Sequence, residues 1–130
     1  MRNITRTFLR SNEMMTKYMS NMKELEEKGT RTNPFLDWKS CLIKEFDKWV
    51  IIENKYPYDA VATTTHMIAT KREVPFDWGL LTKEERDEFE QIKKDYLSEH
   101  YDAIWENLPK GQTMPGHFHL NLLVLKREEV

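Results

Sequence analysis

The sequence predicts an α+β domain built around an antiparallel β-sheet. One long amphipathic segment carries the start signal of a helix, and several short apolar segments have the composition of strands. These elements do not follow the regular strand–helix–strand order of a parallel sheet. With 130 residues the chain can bury a substantial core. We divide it at a polar connector into an N-terminal helical extension, residues 1–34, and one domain, residues 35–130.

Two segments are predicted to be helices. Methionines and other apolar residues recur at three- and four-residue steps across residues 11–28, which predicts a helix with one apolar stripe. This stripe either packs on its own domain or forms a partner surface. The second helix is expected to begin after Thr82, because Thr82 and Glu85 have the spacing of a capping box, and to end near His100.

Short segments rich in β-branched and apolar residues predict the strands. They lie at residues 49–52, 63–70 and 116–126. Residues 101–105 fit either a short strand or a continuation of the preceding helix. Residues 35–46 are equally ambiguous between helix and strand.

Composition and charge exclude several classes of partner. Hydrophobic residues make up 39% and charged residues 32% of the chain, as in an ordered globular domain. A net charge of −2 argues against nucleic-acid polymers and acidic membranes as partners, although a few local donors could hold a small anion. Cys41 is the only cysteine, no apolar run could span a bilayer, and the basic N-terminal residues lead into no apolar block. We therefore expect a cytoplasmic protein.

The segment that carries chemistry is the start of the last predicted strand. Because side chains alternate across a strand, His117, His119 and Asn121 are expected to share one face, and the apolar residues between them the other. A neutral imidazole can attack phosphorus and leave again, while neighbouring donors neutralise charge on the phosphoryl oxygens. This row of three side chains predicts a phosphate site in which one of the two imidazoles, with His119 as the candidate, is the nucleophile.

The loop before this strand adds further candidate groups. Thr113 and Gln112 are placed to hydrogen-bond phosphoryl oxygens or the leaving group. Gly111 and Gly116 offer backbone N–H groups with no side chain in the way. We assign Thr113 to the catalytic group with the two histidines, and Gln112 to substrate binding with Asn121.

These motifs resemble the histidine triad (HIT) superfamily of nucleotide hydrolases and transferases. The family pattern is His-x-His-x-His followed by two apolar residues, often behind a Gly-Gln-Ser/Thr segment. Here it stands as H-F-H-L-N-L-L at residues 117–123, behind G-Q-T at residues 111–113. Asn121 replaces the third histidine and is closer in kind to the glutamine of the transferase branch. The resemblance covers about residues 49–126.

Three upstream positions also match family segments. His66 begins an apolar strand that leads to a basic pair at residues 71–72. Asn54, with the following Y-P-Y-D at residues 56–59, resembles the nucleoside-holding stretch of the branch near galactose-1-phosphate uridylyltransferase and diadenosine tetraphosphate phosphorylase. Asn107 lies ahead of the glycine loop. Taken singly, His66 fits a structural strand histidine and Asn54 a turn residue, so their assignment to substrate binding depends on the resemblance.

The resemblance implies a half-barrel antiparallel sheet with helices, frequently paired as a homodimer. It implies a nucleotidyl-histidine intermediate on His119, formed from a nucleoside phosphoramidate, a dinucleoside polyphosphate or a nucleotide sugar. No cofactor need follow, although the uridylyltransferase branch can carry metal. The missing third histidine leaves a second hypothesis open, a weak or inactive nucleotide-binding regulatory module. A third hypothesis, ranked last, is a metal site on His117 and His119, with His66 as a further candidate ligand.

Overall fold

A computed structural model describes residues 9–28, 33–112 and 114–128 of the chain. Thr113, assigned above to the catalytic group, lies outside the described residues. The helices are α1 (Asn12–Lys28), α2 (Lys83–Ile92) and α3 (Ser98–His100). The strands are β1 (Leu42–Glu45), β2 (Trp49–Glu53), β3 (Ala62–Thr70), β4 (Ala103–Trp105) and β5 (His119–Leu125).

The five strands form one sheet in the order β1-β2-β3-β5-β4, and every neighbouring pair is antiparallel. The predicted α+β class with an antiparallel sheet is therefore confirmed. On β5, His119 lies opposite Ala69 and Asn121 lies opposite Met67 of β3, while Trp105 of β4 pairs with Asn121 from the other side. Since β5 lies between two strands, His119 and Asn121 stand on an interior strand of the sheet.

One face of the sheet packs against α2 and forms the main core. Apolar side chains that alternate along β2, β3 and β5 meet Phe89 and Ile92 of the helix there. The sheet residues of this cluster are Trp49, Ile51, Ile68, Leu120 and Leu122. Because ladder partners share a face, the residues between them necessarily lie on the opposite side.

The helix over this face begins where its sequence predicts. The Thr82 hydroxyl accepts from the Glu85 backbone N–H at 3.1 Å, and the Glu85 carboxylate accepts from the Thr82 N–H at 2.8 Å, which completes the capping box. α2 continues through a π-helical turn, Lys93–Leu97, into α3, which ends at His100.

Both ambiguous segments are resolved by their neighbours in the sheet. Residues 101–105 leave the helix, and β4 pairs with β5. Residues 35–46 are neither one helix nor one strand, since a short 3₁₀ helix, Trp38–Cys41, leads directly into β1. No helix in the described ranges is both long and apolar enough to cross a membrane.

The N-terminal helix docks on the loop that follows β2. The Ser11 N–H and hydroxyl each donate to the Asp59 carboxylate at 2.7 Å. Tyr18 meets the ring of Tyr56 edge-on at 5.1 Å, and Asn21 donates to the Tyr56 hydroxyl at 2.7 Å. Of the predicted apolar stripe, Tyr18 takes part in these contacts, whereas Met19 is exposed. A partner surface on the rest of the stripe therefore stays a prediction.

Candidate functional site

The structure places the two histidines of the row on the face of the sheet opposite the main core. The Phe35 ring lies over both imidazoles, with centroid distances of 5.1 Å to His117 and 4.5 Å to His119, each at 27°. β5 itself begins at His119, three residues later than predicted, but the alternation already holds at His117. The intervening side chains are buried in the main core: Phe118, Leu120 and Leu122.

His117 is fully buried and uses both ring nitrogens. Its Nε2 lies 2.7 Å from the backbone carbonyl oxygen of Thr70, and its Nδ1 lies 3.0 Å from Nδ2 of Asn33. A carbonyl can only accept, so Nε2 carries the hydrogen and Nδ1 is the acceptor. Burial lowers the pKa of His117, which is consistent with a neutral ring. His117 therefore has no free nitrogen for chemistry and serves to position its neighbours.

His119 has the opposite arrangement, with one nitrogen held and one free. Its Nδ1 lies 2.8 Å from the His117 carbonyl oxygen and must donate to it. Nε2 then carries the lone pair, and it makes no hydrogen bond to any residue that the structure describes. Burial, with a smaller contribution from the His117 ring, lowers the pKa of His119. The half-buried ring is thus a free base at neutral pH with Nε2 available as a nucleophile.

Asn121 follows His119 on the same face, roughly 7 Å further along the strand. The residue is only 4% exposed, yet its carboxamide makes no hydrogen bond within the described part of the chain. No fully buried polar side-chain atom of the described residues lacks a partner. The amide of Asn121 is therefore not sealed from solvent, and it offers an unused donor on the same face of the sheet as His119.

Two predicted substrate-binding residues of the glycine loop meet each other. Gln112 donates through Nε2 to the Asn107 carbonyl at 2.8 Å, and Asn107 reaches the Tyr58 hydroxyl at 3.4 Å. Tyr58 in turn packs against Trp105, the β4 partner of Asn121, at a ring distance of 6.0 Å. The pair is thus connected to the β4 side of the sheet through Tyr58 and Trp105, and no hydrogen bond in the described ranges joins it to His119.

Asn54 has a local role in the loop after β2. Its Oδ1 accepts from the Tyr56 N–H at 2.9 Å, which is an Asx turn. The carboxylate of Asp59 in the same loop is held by Ser11, and this contact lowers the pKa of Asp59. The stretch that resembles a nucleoside-holding loop is thus braced by the N-terminal segment.

His66 lies on the other face of the sheet, away from the row. The register sets it opposite Leu122, a residue of the main core. Its Nδ1 lies 2.6 Å from the Tyr101 hydroxyl, and burial lowers the pKa of His66 while raising that of Tyr101 to about 12. The structure therefore does not bring His66 together with His119, because residues 66 and 69 of one strand point to opposite sides.

The geometry also bears on the metal hypothesis. No group of three or more metal-ligating side chains comes together among the described residues. His117 has both nitrogens hydrogen-bonded, and His66 is on the opposite face of the sheet. The three histidines proposed as ligands do not converge.

Two surface grooves lie apart from the row. One, of about 390 Å³, is charged and includes Lys71, Arg72 and Glu85 in its wall. The other, of about 580 Å³, runs between α2 and β4 and includes Trp78 and Tyr101. Neither groove is lined by the three side chains of the row.

Three residues that contact the row were not identified from the sequence. Thr70 accepts from His117 through its backbone, Phe35 covers both imidazoles, and Asn33 reaches the Nδ1 of His117. The run N-P-F at residues 33–35 is typical of an Asx turn, a signal that was available. It could not show that this turn lies against the last strand.

A comparison with solved structures identifies the fold. A structure described as a "Hit Like Protein" aligns with this chain at a TM-score of 0.53 and 21% sequence identity, covering 72% of this chain and 98% of the other. The chain has the HIT-like fold. Neither the protein-family models nor the curated proteins include a match to this sequence.

Proposed function

We propose that this HIT-like chain is a nucleotide hydrolase or nucleotidyltransferase that acts through His119. Its substrate is a nucleoside phosphoester or phosphoramidate. The single observation that carries the proposal is the orientation of the His119 ring. The Nδ1–H of that ring donates to the His117 carbonyl at 2.8 Å, which leaves an unshared electron pair on Nε2.

The proposed reaction has two steps. Nε2 of His119 forms a bond to phosphorus while the leaving group departs with the electron pair of the broken bond. The ring becomes positively charged in this step, and the Nδ1–H contact to the His117 carbonyl stabilises that charge. The oxygen of water or of another acceptor then bonds to phosphorus, and the Nε2–P bond breaks with its electron pair returning to Nε2. The proton of the acceptor passes to the departed leaving group or to solvent, and His119 regains its original form.

The neighbouring polar groups have separate proposed roles. The unpaired carboxamide of Asn121 donates to a phosphoryl oxygen, and Asn107 and Gln112 contribute to substrate binding from the segment before β5. Asn54 contributes to the nucleoside end, and Thr113 hydrogen-bonds the phosphate or the leaving group. His66 has no part in this proposal, because it lies across the sheet.

A labelled-substrate experiment tests the proposal. Purified wild type is incubated with radiolabelled adenosine phosphoramidate and with diadenosine tetraphosphate, and acid-labile protein-bound label and released nucleotide are measured. We expect both signals in wild type and neither in His119→Ala. His100→Ala is the matched control, since His100 is an exposed helix residue whose ring stacks on Tyr96 and not on the row. Equal signals in wild type and His119→Ala would refute catalysis through this residue.

A second function is favoured by the cover over the row. Phe35 stacks on both imidazoles, and Asn121 is a neutral group where the family pattern has a histidine. These features fit a nucleotide-binding regulatory module that binds without turnover. Calorimetry separates the two functions: the module binds nucleoside monophosphate with little change in His119→Ala, whereas turnover by clean wild-type protein excludes it.

We further propose that the protein forms a homodimer. We also propose that it is cytoplasmic, binds a nucleotide as its small-molecule partner and has no resident cofactor. The homodimer is tested by light scattering coupled to size-exclusion chromatography. A mass of twice 15.7 kDa supports the dimer, and a mass of 15.7 kDa at high protein concentration contradicts it.

A further inference from the structure

Asn33 makes two hydrogen bonds that fix the direction of its amide group. Its Oδ1 accepts from the Phe35 backbone N–H at 3.0 Å, and its Nδ2 lies 3.0 Å from Nδ1 of His117. A backbone N–H can only donate, so the oxygen must face Phe35 and the NH₂ group must face the histidine.

The far side of the His117 ring is fixed in the same way. The Thr70 carbonyl, 2.7 Å from Nε2, can only accept, and the Thr70 hydroxyl at 3.4 Å already donates to the Arg72 carbonyl. Asn33 thus presents a donor to Nδ1 while Thr70 presents an acceptor to Nε2. A proton added at Nδ1 would face the N–H of Asn33, so the pair permits only the neutral ring with hydrogen on Nε2.

We propose that Asn33 is a positioning residue that holds His117 in this single tautomer and orientation. The same His117 supplies the carbonyl that directs the Nε2 of His119 outward. Asn33 therefore acts on the nucleophile through its neighbour and does not itself touch substrate. The catalytic consequence of this assignment rests on the proposed function, whereas the tautomer does not.

Among the residues that the structure describes, Glu73 and His119 are the titratable groups that act on His117. Glu73 favours its charged form, and the nearby His119 ring is neutral when its own pKa is depressed. From the segment that covers the ring, Phe35 contributes only an apolar surface. The groups in direct hydrogen-bond contact, Asn33 and Thr70, carry no charge, so a change at Asn33 has a readable effect on His117.

The test is an NMR measurement of the imidazole nitrogens in protein labelled with ¹⁵N-histidine. Asn33→Asp retains the oxygen that accepts from Phe35 but places a carboxylate at Nδ1. We expect His117 in wild type to have hydrogen on Nε2 alone, and in Asn33→Asp to bind a second proton with a raised pKa. Asn21→Asp is the matched control, because Asn21 donates instead to Tyr56. An unchanged tautomer and pKa of His117 in folded Asn33→Asp would overturn the proposal.

A second variant and a kinetic readout complete the test. In Asn33→Ala the ¹⁵N chemical shift of the His117 Nδ1 is expected to move toward the value of an imidazole nitrogen that accepts no hydrogen bond. An unchanged shift counts against the proposal even if Asn33→Asp does not fold. Where turnover is found, kcat of Asn33→Ala is expected to fall by about tenfold with little change in KM. If wild type shows no turnover, the proposed function fails while the nitrogen spectra still decide the role of Asn33.

Discussion

The imidazole of His119 donates a hydrogen bond to the backbone carbonyl of His117, two residues earlier in the chain. This contact decides which nitrogen of His119 faces outward. The carbonyl is itself held in place, because the side chain of His117 is buried and anchored at both of its nitrogens. The nucleophile proposed here therefore depends on a residue that performs no chemistry.

The pH dependence of activity follows from the burial of His119. Burial lowers its pKa below the ordinary value of 6.5, so the reactive free base persists as pH falls from neutrality to that value. Under the proposed function, the acid limb of the kcat/KM profile is therefore expected to have its midpoint below pH 6.5. A pH–rate profile measures this, and an acid limb centred above pH 6.5 would contradict the prediction.

The capping box of α2 predicts a stability effect at Glu85. The carboxylate is almost fully buried, accepts from Thr82 at 2.8 Å, and pairs with Arg72 at 2.7 Å. Glu85→Ala removes the cap and leaves these donors unpaired, so we expect a loss of about 2 kcal/mol in the free energy of unfolding. The side chain of Arg72 is 49% exposed, which keeps the ion-pair contribution small.

Urea unfolding of Glu85→Ala beside Glu84→Ala checks this prediction. Glu84 is exposed in the same helical turn, so its replacement is expected to change stability by less than about 0.5 kcal/mol. Equal stabilities of the two variants would show that the buried carboxylate contributes little.

Tyr101 provides a test of which face of the sheet is functional. Its hydroxyl lies 2.6 Å from Nδ1 of His66, on the side opposite the row. Tyr101→Phe is expected to lower the free energy of unfolding by about 1 kcal/mol while leaving turnover unchanged. Tyr96→Phe serves as control in thermal unfolding and kinetic assays, since no hydrogen bond of the Tyr96 hydroxyl is found within the described ranges. A loss of turnover as large as that of His119→Ala would assign His66 to the site.

The docking of α1 is expected to depend on Ser11. This residue accepts from the Met14 N–H at 3.1 Å as a helix cap and donates to the Asp59 carboxylate at 2.7 Å. Ser11→Ala should cost about 1 kcal/mol and raise hydrogen exchange across α1. Ser20→Ala, at an exposed position of the same helix, is the control. Exchange that stays as slow as in wild type would show that the helix is held by other contacts.

Features that depend on neighbours in sequence were predictable. Thr82 and Glu85 lie three residues apart and meet within one helical turn, so the start of α2 follows from local chemistry. The shared face of His117 and His119 follows equally from the period of two in an extended chain. For the same reason the pattern on β5 was recognisable before the fold was known.

Features that depend on distant segments were not predictable. The period of two separates His66 from Met67, but only the register of β3 against β5 decides which of them shares a face with His119. Residues 101–105 fit either a strand or a continued helix in sequence, and it is their pairing with β5 that selects the strand.

The sequence by itself determined the local geometry of this protein: the capped helix, the alternating strand and the two imidazoles on one side of it. Only the tertiary structure decided that Asn33 and Phe35 cover those imidazoles and that His66 turns away from them. The physical reason is how far apart in the chain the interacting residues lie. Caps and side-chain alternation are set by backbone bonds between near neighbours, whereas contacts across 84 residues of chain, as between Asn33 and His117, exist only after the whole sheet has formed.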